Sequence, residues 1–204
     1  MNAKISDKVI NRLTLYHCIL QEFLARGEEF ISSKQIAKLL HIDDSQVRKD
    51  ISVLNNSGKC RVGYIVKELK SCIEKTLGFK KQKNACIIGA GNLGSALAKY
   101  DSFANYGLNI VALVDTDKKK ISGMVNGKRV YDLTDFAAVV GEHGIDIAIL
   151  TVPKEFTQST ADIVVDAGVK YIWNFAPVVL NVPDDVQVWN ENLVGNFLQF
   201  TYSI

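Results

Sequence analysis

The residues with the plainest chemical purpose are three glycines and one acid. Gly89-Ala90-Gly91-Asn92-Leu93-Gly94 follows the apolar run Ala85-Cys86-Ile87-Ile88, and Asp115 closes the next apolar run, residues 110–114, 21 positions after Gly94. In a G-x-G-x-x-G of this kind the first glycine turns the chain out of a strand. The second lets the backbone approach a pyrophosphate, and the third lets the following helix pack on the strand. The amides at the start of that helix then face the phosphates. An acid about 20 residues on is placed to accept hydrogen bonds from an adenosine ribose, and it repels a 2′-phosphate. The spacing predicts a dinucleotide site that favours NAD(H) over NADP(H), with Lys118, Lys119 and Lys120 covering the adenine edge or facing solvent.

A second constellation is basic. Ser45, Gln46, Arg48, Lys49 and Ser52 lie on the polar side of a helix whose apolar side is Val47, Ile51 and Leu54. Arg pairs with guanine edges, Gln with adenine edges, and Lys with phosphates. Lys59 and Arg61 fall at the tip of a small hairpin read over residues 58–66, suited to phosphates or a minor groove. With Ser33, at the start of the preceding helix, the candidate DNA contacts are Ser33, Ser45, Gln46, Arg48, Lys49, Lys59 and Arg61. A helical protein-interaction module with a solvated basic face is the competing reading.

The elements that must carry these groups follow from periodicity. Residues 6–24 place Val9, Ile10, Leu13, Tyr16, Ile19, Leu20, Phe23 and Leu24 on one helical face, and Gly27 follows as a stop. Ser32 and Gln35 form a capping box for a helix that buries Ile36, Leu39 and Leu40. After about three turn residues Asp43-Asp44-Ser45-Gln46 opens the reading helix, which completes a helix-turn-helix. Residues 66–77 form one more helix, ended by Gly78, and Lys80-Lys81-Gln82-Lys83 is a charged linker.

Beyond the linker, strands and helices alternate: helix 134–143, strand 145–152, helix 155–167, strand 169–175 and a last strand at 186–189. That alternation predicts an α/β Rossmann domain with a doubly wound, mostly parallel sheet, joined to an N-terminal winged helix-turn-helix. Ligands bind at the carboxyl ends of such strands, where Thr151-Val152-Pro153 and Asn174-Phe175-Ala176-Pro177 fall. They are candidates for the nicotinamide side, although prolines there also serve as turn punctuation. The domains expected are residues 1–80, 84–189 and a terminal helix in 190–204. That helix carries Leu193, Val194, Phe197, Leu198 and Phe200, apolar enough to need its own sheet or a second subunit.

Charge divides along the same boundary. Residues 1–83 hold 16 Lys and Arg against 9 Asp and Glu; residues 84–204 hold 8 against 13. The basic half suits a polyanion. Cys18, Cys60, Cys72 and Cys86 form no Cys-x-x-Cys pair, so no metal site is expected, and they read as reduced thiols, some of them core residues. No apolar run approaches a membrane span, and a cytoplasmic location without membrane contact is expected. Catalysis is not supported. His17, His41 and His143 lie away from strand ends, and Tyr64 is followed four places on by Glu68, not a lysine. Cofactor binding then serves sensing. A small NAD-dependent oxidoreductase is the alternative.

The order of these parts resembles the Rex family of redox-sensing transcriptional repressors. The resemblance covers nearly the whole chain and is most specific from Ile31-Ser32-Ser33-Lys34 through Gln46-Val47-Arg48-Lys49-Asp50, at Val62-Gly63-Tyr64 with Val66-Lys67-Glu68-Leu69, at the glycine loop, at Asn174-Phe175-Ala176-Pro177 and at Leu180-Asn181-Val182-Pro183. It implies a homodimer with exchanged C-terminal helices. It implies binding to inverted-repeat operator DNA under NAD⁺, release under NADH, Tyr100 near the nicotinamide, and Arg48 and Lys49 on the operator. This chain departs from the family at the wing, where Cys60 and Arg61 stand for an arginine and a glycine and Leu54-Asn55-Asn56-Ser57 for a glycine with aromatics. Thr14 and Cys18 stand for a proline and an arginine, and Asn192 for the aspartate which that arginine meets across the dimer. A paralogue with altered switching or DNA binding is the reading those departures allow.

Overall fold

A computed structural model describes residues 5–54 and 62–202. The backbone divides into two units, residues 1–80 and 81–204. The expected wing-tip contacts, Lys59 and Arg61, lie outside the described residues.

In the first unit, α1 (Asp7–Ala25) and α4 (Val66–Leu77) flank the pair α2 (Ser33–Leu40) and α3 (Asp44–Ser52). Ser32 accepts from the Gln35 amide while the Gln35 side chain takes the Ser32 amide, so the predicted capping box is formed. The turn into α3 passes through His41, whose φ of +53° is left-handed, and Asp43 then caps α3 from its side chain to the Ser45 amide at 2.7 Å. Leu13, Tyr16, Leu20, Ile36, Val47, Ile51, Leu69 and Ile73 close a single core. Two expected apolar-face residues fail: Leu24 is exposed at the end of α1, and Leu39 is exposed with Ala37 buried in its place, because the α2 stripe runs through 36, 37 and 40. Strand β1 (Phe30–Ile31) pairs antiparallel with β2 (Tyr64–Ile65), and the other arm of the hairpin expected over 58–66 lies outside the described residues. Val66, read also as the end of that hairpin, opens α4. Gly63 is required there, since a Cβ would stand 2.4 Å from the Ile31 carbonyl oxygen.

The second unit is a seven-stranded sheet of β3 (Lys83–Ile88), β4 (Leu108–Asp115), β5 (Met124–Val125), β6 (Lys128–Asp132), β7 (Ile147–Leu150), β8 (Tyr171–Asn174) and β9 (Gln187–Asn190). Its order is β5-β6-β4-β3-β7-β8-β9, parallel everywhere except the β5–β6 edge. Chain order therefore reverses at β3 and β7, the switch point at which doubly wound sheets hold ligands. Side chains alternate along β3. Cys86 and Ile88 join α6 (Phe136–His143) and α7 (Thr157–Asp166) on one face; Ala85 and Ile87 join α5 (Asn92–Ala98) on the other. Strands β5 and β6 are additions to the sequence reading. The helices expected at 134–143 and 155–167 begin as 3₁₀ turns, Leu133–Asp135 and Lys154–Phe156.

The last helix, α8 (Leu193–Tyr202), buries none of its residues. Leu193, Val194, Phe197, Leu198 and Phe200 are exposed, so of the two covers expected for this helix its own sheet does not supply one. Asn192 caps α8 by accepting the Gly195 amide at 2.8 Å. No helix is long and apolar enough to cross a membrane among the described residues.

Candidate dinucleotide site and nucleic-acid interface

The glycine loop is braced from both neighbouring strands. Gly89, at φ +103°, leaves β3 with its amide on the Val114 carbonyl of β4 at 2.8 Å. On the other side Thr151 Oγ1, just past β7, donates to the Gly89 carbonyl at 2.8 Å. A Cβ at Gly94 would stand 2.0 Å from that same carbonyl oxygen and 2.8 Å from Thr151 Oγ1, so helix α5 reaches the strand only through a glycine. Gly91 is different: its φ of −79° suits any residue, and the position of its Cβ is open space. A bare backbone facing open space is what close approach of a pyrophosphate demands, so the loop fits a dinucleotide. Asn92 and Leu93 form the first turn of α5, with Leu93 partly exposed.

Asp115 ends β4 beside this loop, as the spacing predicts. Its Oδ2 accepts the Ala90 amide at 2.7 Å and Lys120 Nζ at 3.0 Å, and its Oδ1 accepts the Asp117 amide at 2.8 Å. Burial alone would raise this carboxyl; the Asp117 amide, Lys120 and the Ala90 amide overcome it and hold the group below the usual carboxylate range. Lys120 is thus held in an ion pair with Asp115 and is not a free surface charge. Sequence alone does not separate it from Lys118 and Lys119; only the turn at 117–120, closed by Lys120 N on the Asp117 carbonyl at 2.9 Å, brings it back to Asp115.

The two loops at the carboxyl ends of β7 and β8 divide by role. Thr151 and Val152 are half-buried, Thr151 supports the glycine loop, and the exposed Pro153 accepts Thr157 Oγ1 at 3.1 Å at the entry to α7. Asn174 is fully buried. Its Nδ2 donates to the Ala176 and Val178 carbonyls and to Asn190 Oδ1, and its Oδ1 accepts the Ala176 amide, so it shapes the 174–178 turn from within. Phe175 and the exposed Pro177 flank the buried Ala176. Tyr100 is 55% exposed, and its ring meets Phe103 at 4.9 Å. Phe103 meets Trp173 at 5.8 Å and Trp173 meets Phe175 at 5.0 Å, an aromatic row that ties Tyr100 to the β8 end of the site. Phe103 and Trp173 were not singled out by sequence, because they become neighbours only when β8 joins the sheet.

In the first unit α3 exposes Arg48 and Lys49. Arg48 is paired with Asp44, one turn earlier, and Ser33 and Ser45 are half-buried at the starts of α2 and α3. Gln46, expected to face a groove, instead donates Nε2 to Asp50 at 2.8 Å. Asp50 is the anchor of α3: it also accepts Arg12 and Tyr16 from α1. Burial would raise its carboxyl, and hydrogen bonds from Arg12, Tyr16 and Gln46 overcome that and hold it low. Among the described residues no group of three or more His, Cys, Asp or Glu is placed to hold a metal.

Comparison with known proteins covers both units. Residues 80–178 match the family model described as a CoA binding domain, and residues 4–52 match that of a putative DNA-binding protein N-terminus. The redox-sensing transcriptional repressor Rex of Bacteroides thetaiotaomicron is 40% identical over 95% of this chain and 88% of its own length. Rex of Clostridium beijerinckii is 38% identical over 98% and 95%. Among solved structures, RSP in complex with β-NAD⁺ and operator DNA superposes with a TM-score of 0.90 at 37% identity, over 98% of this chain and 93% of that one. RSP in complex with β-NADH gives 0.86 at 38% identity, over 98% and 94%. These relatives are named for transcriptional repression rather than for any enzyme activity. The chain belongs to the Rex family of redox-sensing transcriptional repressors.

Proposed function

We propose that this chain is a DNA-binding repressor that reads the NADH/NAD⁺ ratio in the cytoplasm. The dinucleotide lies on residues 89–94, with its adenosine ribose at Asp115 and its nicotinamide toward Tyr100, Thr151-Val152-Pro153 and Phe175-Ala176-Pro177. Arg48 and Lys49 contact an inverted-repeat operator, with Ser33 and Ser45 near the backbone and the wing residues Lys59 and Arg61 adding charge. The observation that carries the reading is one chain holding both halves of the device. A glycine loop with open space at Gly91 is tied to Asp115, and a capped helix presents Arg48 and Lys49. The solved relative RSP, bound to NAD⁺ with DNA in one crystal and to NADH in another, supports the coupling.

The working unit is a homodimer closed by exchange of the C-terminal helices. The apolar face of α8, exposed in the single chain, supports that arrangement. NADH favours a dimer whose two α3 helices no longer match successive grooves. A differential affinity of a few kcal/mol suffices for such a shift. Calorimetric titration with NADH and NAD⁺, together with light scattering for the dimer mass, tests the reading. Tight NADH binding to a dimer supports it; absence of binding to either nucleotide refutes it.

Cys18 and Asn192 favour a second reading, DNA binding with weakened NADH control. Cys18 is exposed and Asn192 is occupied as a helix cap, so neither supplies the charge the family uses there.

A further inference from the structure

We propose that Lys120 is a cofactor-specificity residue: paired with Asp115 at the ribose end of the site, it weakens the discrimination against a 2′-phosphate that Asp115 alone would impose. The inference rests on the dinucleotide reading above and deepens it.

Three observations carry it. Lys120 Nζ stands 3.0 Å from Asp115 Oδ2, so the acid at the end of β4 is half of an ion pair and not a bare charge. The same carboxylate already accepts the Ala90 and Asp117 amides, which leaves it roughly one free acceptor direction of the four a carboxylate offers. One ribose hydroxyl can be taken without disturbance; a grip on both needs the ammonium to leave. Lys120 is also only 39% exposed, on a short turn, so when displaced it stays beside the ribose.

The consequence follows from charge. Against a lone carboxylate, a phosphate ester on the 2′-oxygen meets repulsion at hydrogen-bond range. Against an ion pair that repulsion is largely cancelled. The freed ammonium can then donate to the phosphate as a charge-assisted partner. Lys118 likewise faces Asp132 at the end of the neighbouring strand β6, so that carboxylate too is offset by a lysine and adds little repulsion. The rule that an acid after the second strand selects NAD(H) is thus weakened here by a residue five positions on.

The test is the ratio of dissociation constants for NADPH and NADH, measured by calorimetry on the intact protein and on Lys120→Met, which keeps length and removes charge. The ratio should rise at least about tenfold in the variant, equivalent to about 1.4 kcal/mol. The salt dependence of NADPH binding should fall. Asp115→Asn, which removes the acid and frees Lys120, should shift the ratio the other way. Equal changes for both nucleotides in Lys120→Met, or none, overturn the role given to Lys120 while leaving the dinucleotide site in place. Failure of the unmodified protein to bind NADH overturns the site itself, and the proposal with it.

Discussion

Arg12 and Asp50 lock the first helix of the chain to the reading helix through two hydrogen bonds, Nε to Oδ2 at 2.5 Å and Nη2 to Oδ1 at 2.8 Å. Asp50 is 1% exposed, and Tyr16 Oη adds a third bond at 2.7 Å. The angle at which Arg48 and Lys49 are presented is therefore set by a buried charge and not by the short turn between α2 and α3 alone.

Replacing Asp50 with Ala strands the Arg12 guanidinium and the Tyr16 hydroxyl. Loss of about 3 kcal/mol of stability is expected, as for other broken ion pairs with one buried partner. Urea unfolding of the variant checks this, and a loss under 1 kcal/mol would contradict the anchoring role. The pH dependence has a fixed sign. The folded carboxyl titrates below its unfolded value of 3.8, so its contribution is complete above that value and is lost as pH falls through the lower folded one. Midpoints should be insensitive to this group between pH 5 and pH 8, and Asp50→Ala should flatten the acid limb.

Two glycines of one motif should fail in different ways. Gly94→Ala forces a Cβ to 2.0 Å from the Gly89 carbonyl oxygen and should cost about 3 kcal/mol or more of stability. Gly91→Ala meets open space and should fold normally, yet lose at least tenfold in NADH affinity by blocking the pyrophosphate. Thermal melts and nucleotide titrations separate the two outcomes. Parallel behaviour of both variants would contradict the assignment of Gly91.

Arg48 and Gln46 should likewise part company. Arg48→Ala removes an exposed guanidinium and should abolish specific operator binding with little change in stability. If it contacts a phosphate, the salt slope should fall by about 0.9. Gln46→Ala should instead lower stability by about 1 kcal/mol through its lost bond to Asp50. A Gln46 variant that changes base preference at fixed stability would restore it as a reader.

Asn174→Ala removes, from a fully buried side chain, the donor to three acceptors and the acceptor for the Ala176 amide. A loss of about 2–3 kcal/mol is expected, with NADH affinity falling through a loosened 174–178 turn. Unaltered stability, measured by urea unfolding, would show that Asn174 does not hold this turn.

What sequence can reveal tracks how local the cause is. The glycine loop and the capping box are legible because each is decided within six residues: φ at Gly89, space at Gly91, and Ser32 with Gln35. Strands β5 and β6 are not visible in the apolar pattern. Lys128-Arg129-Val130-Tyr131-Asp132 carries only one fully buried residue, Val130, although Asn126-Gly127 is a hairpin signal that points to them. Leu39 and Ala37 exchange places because a short helix offers two near-equivalent stripes, and only the packing of α1 and α3 chooses. Arg12 and Asp50 are 38 residues apart, and Asn174 and Asn190 are joined only once β9 pairs with β8. Asn192 reads as a lost charge in sequence, and the fold gives it work as the cap of α8.

The departures at Cys18 and Asn192 lead to a gain-of-function expectation. On the proposed dimer with exchanged helices, the double variant Cys18→Arg with Asn192→Asp supplies the ion pair that the family resemblance implies there and should increase the NADH-driven loss of DNA affinity. Each single variant should do less than the pair, a coupling read by a double-mutant cycle. Additive effects would mean the two positions do not meet.

The most direct measurement is fluorescence anisotropy of a labelled inverted-repeat promoter fragment, titrated with the protein at fixed salt in NAD⁺ and then in NADH. The account predicts binding in NAD⁺ and a loss of at least tenfold in affinity in NADH. Equal binding in both nucleotides, or binding in neither, would contradict it.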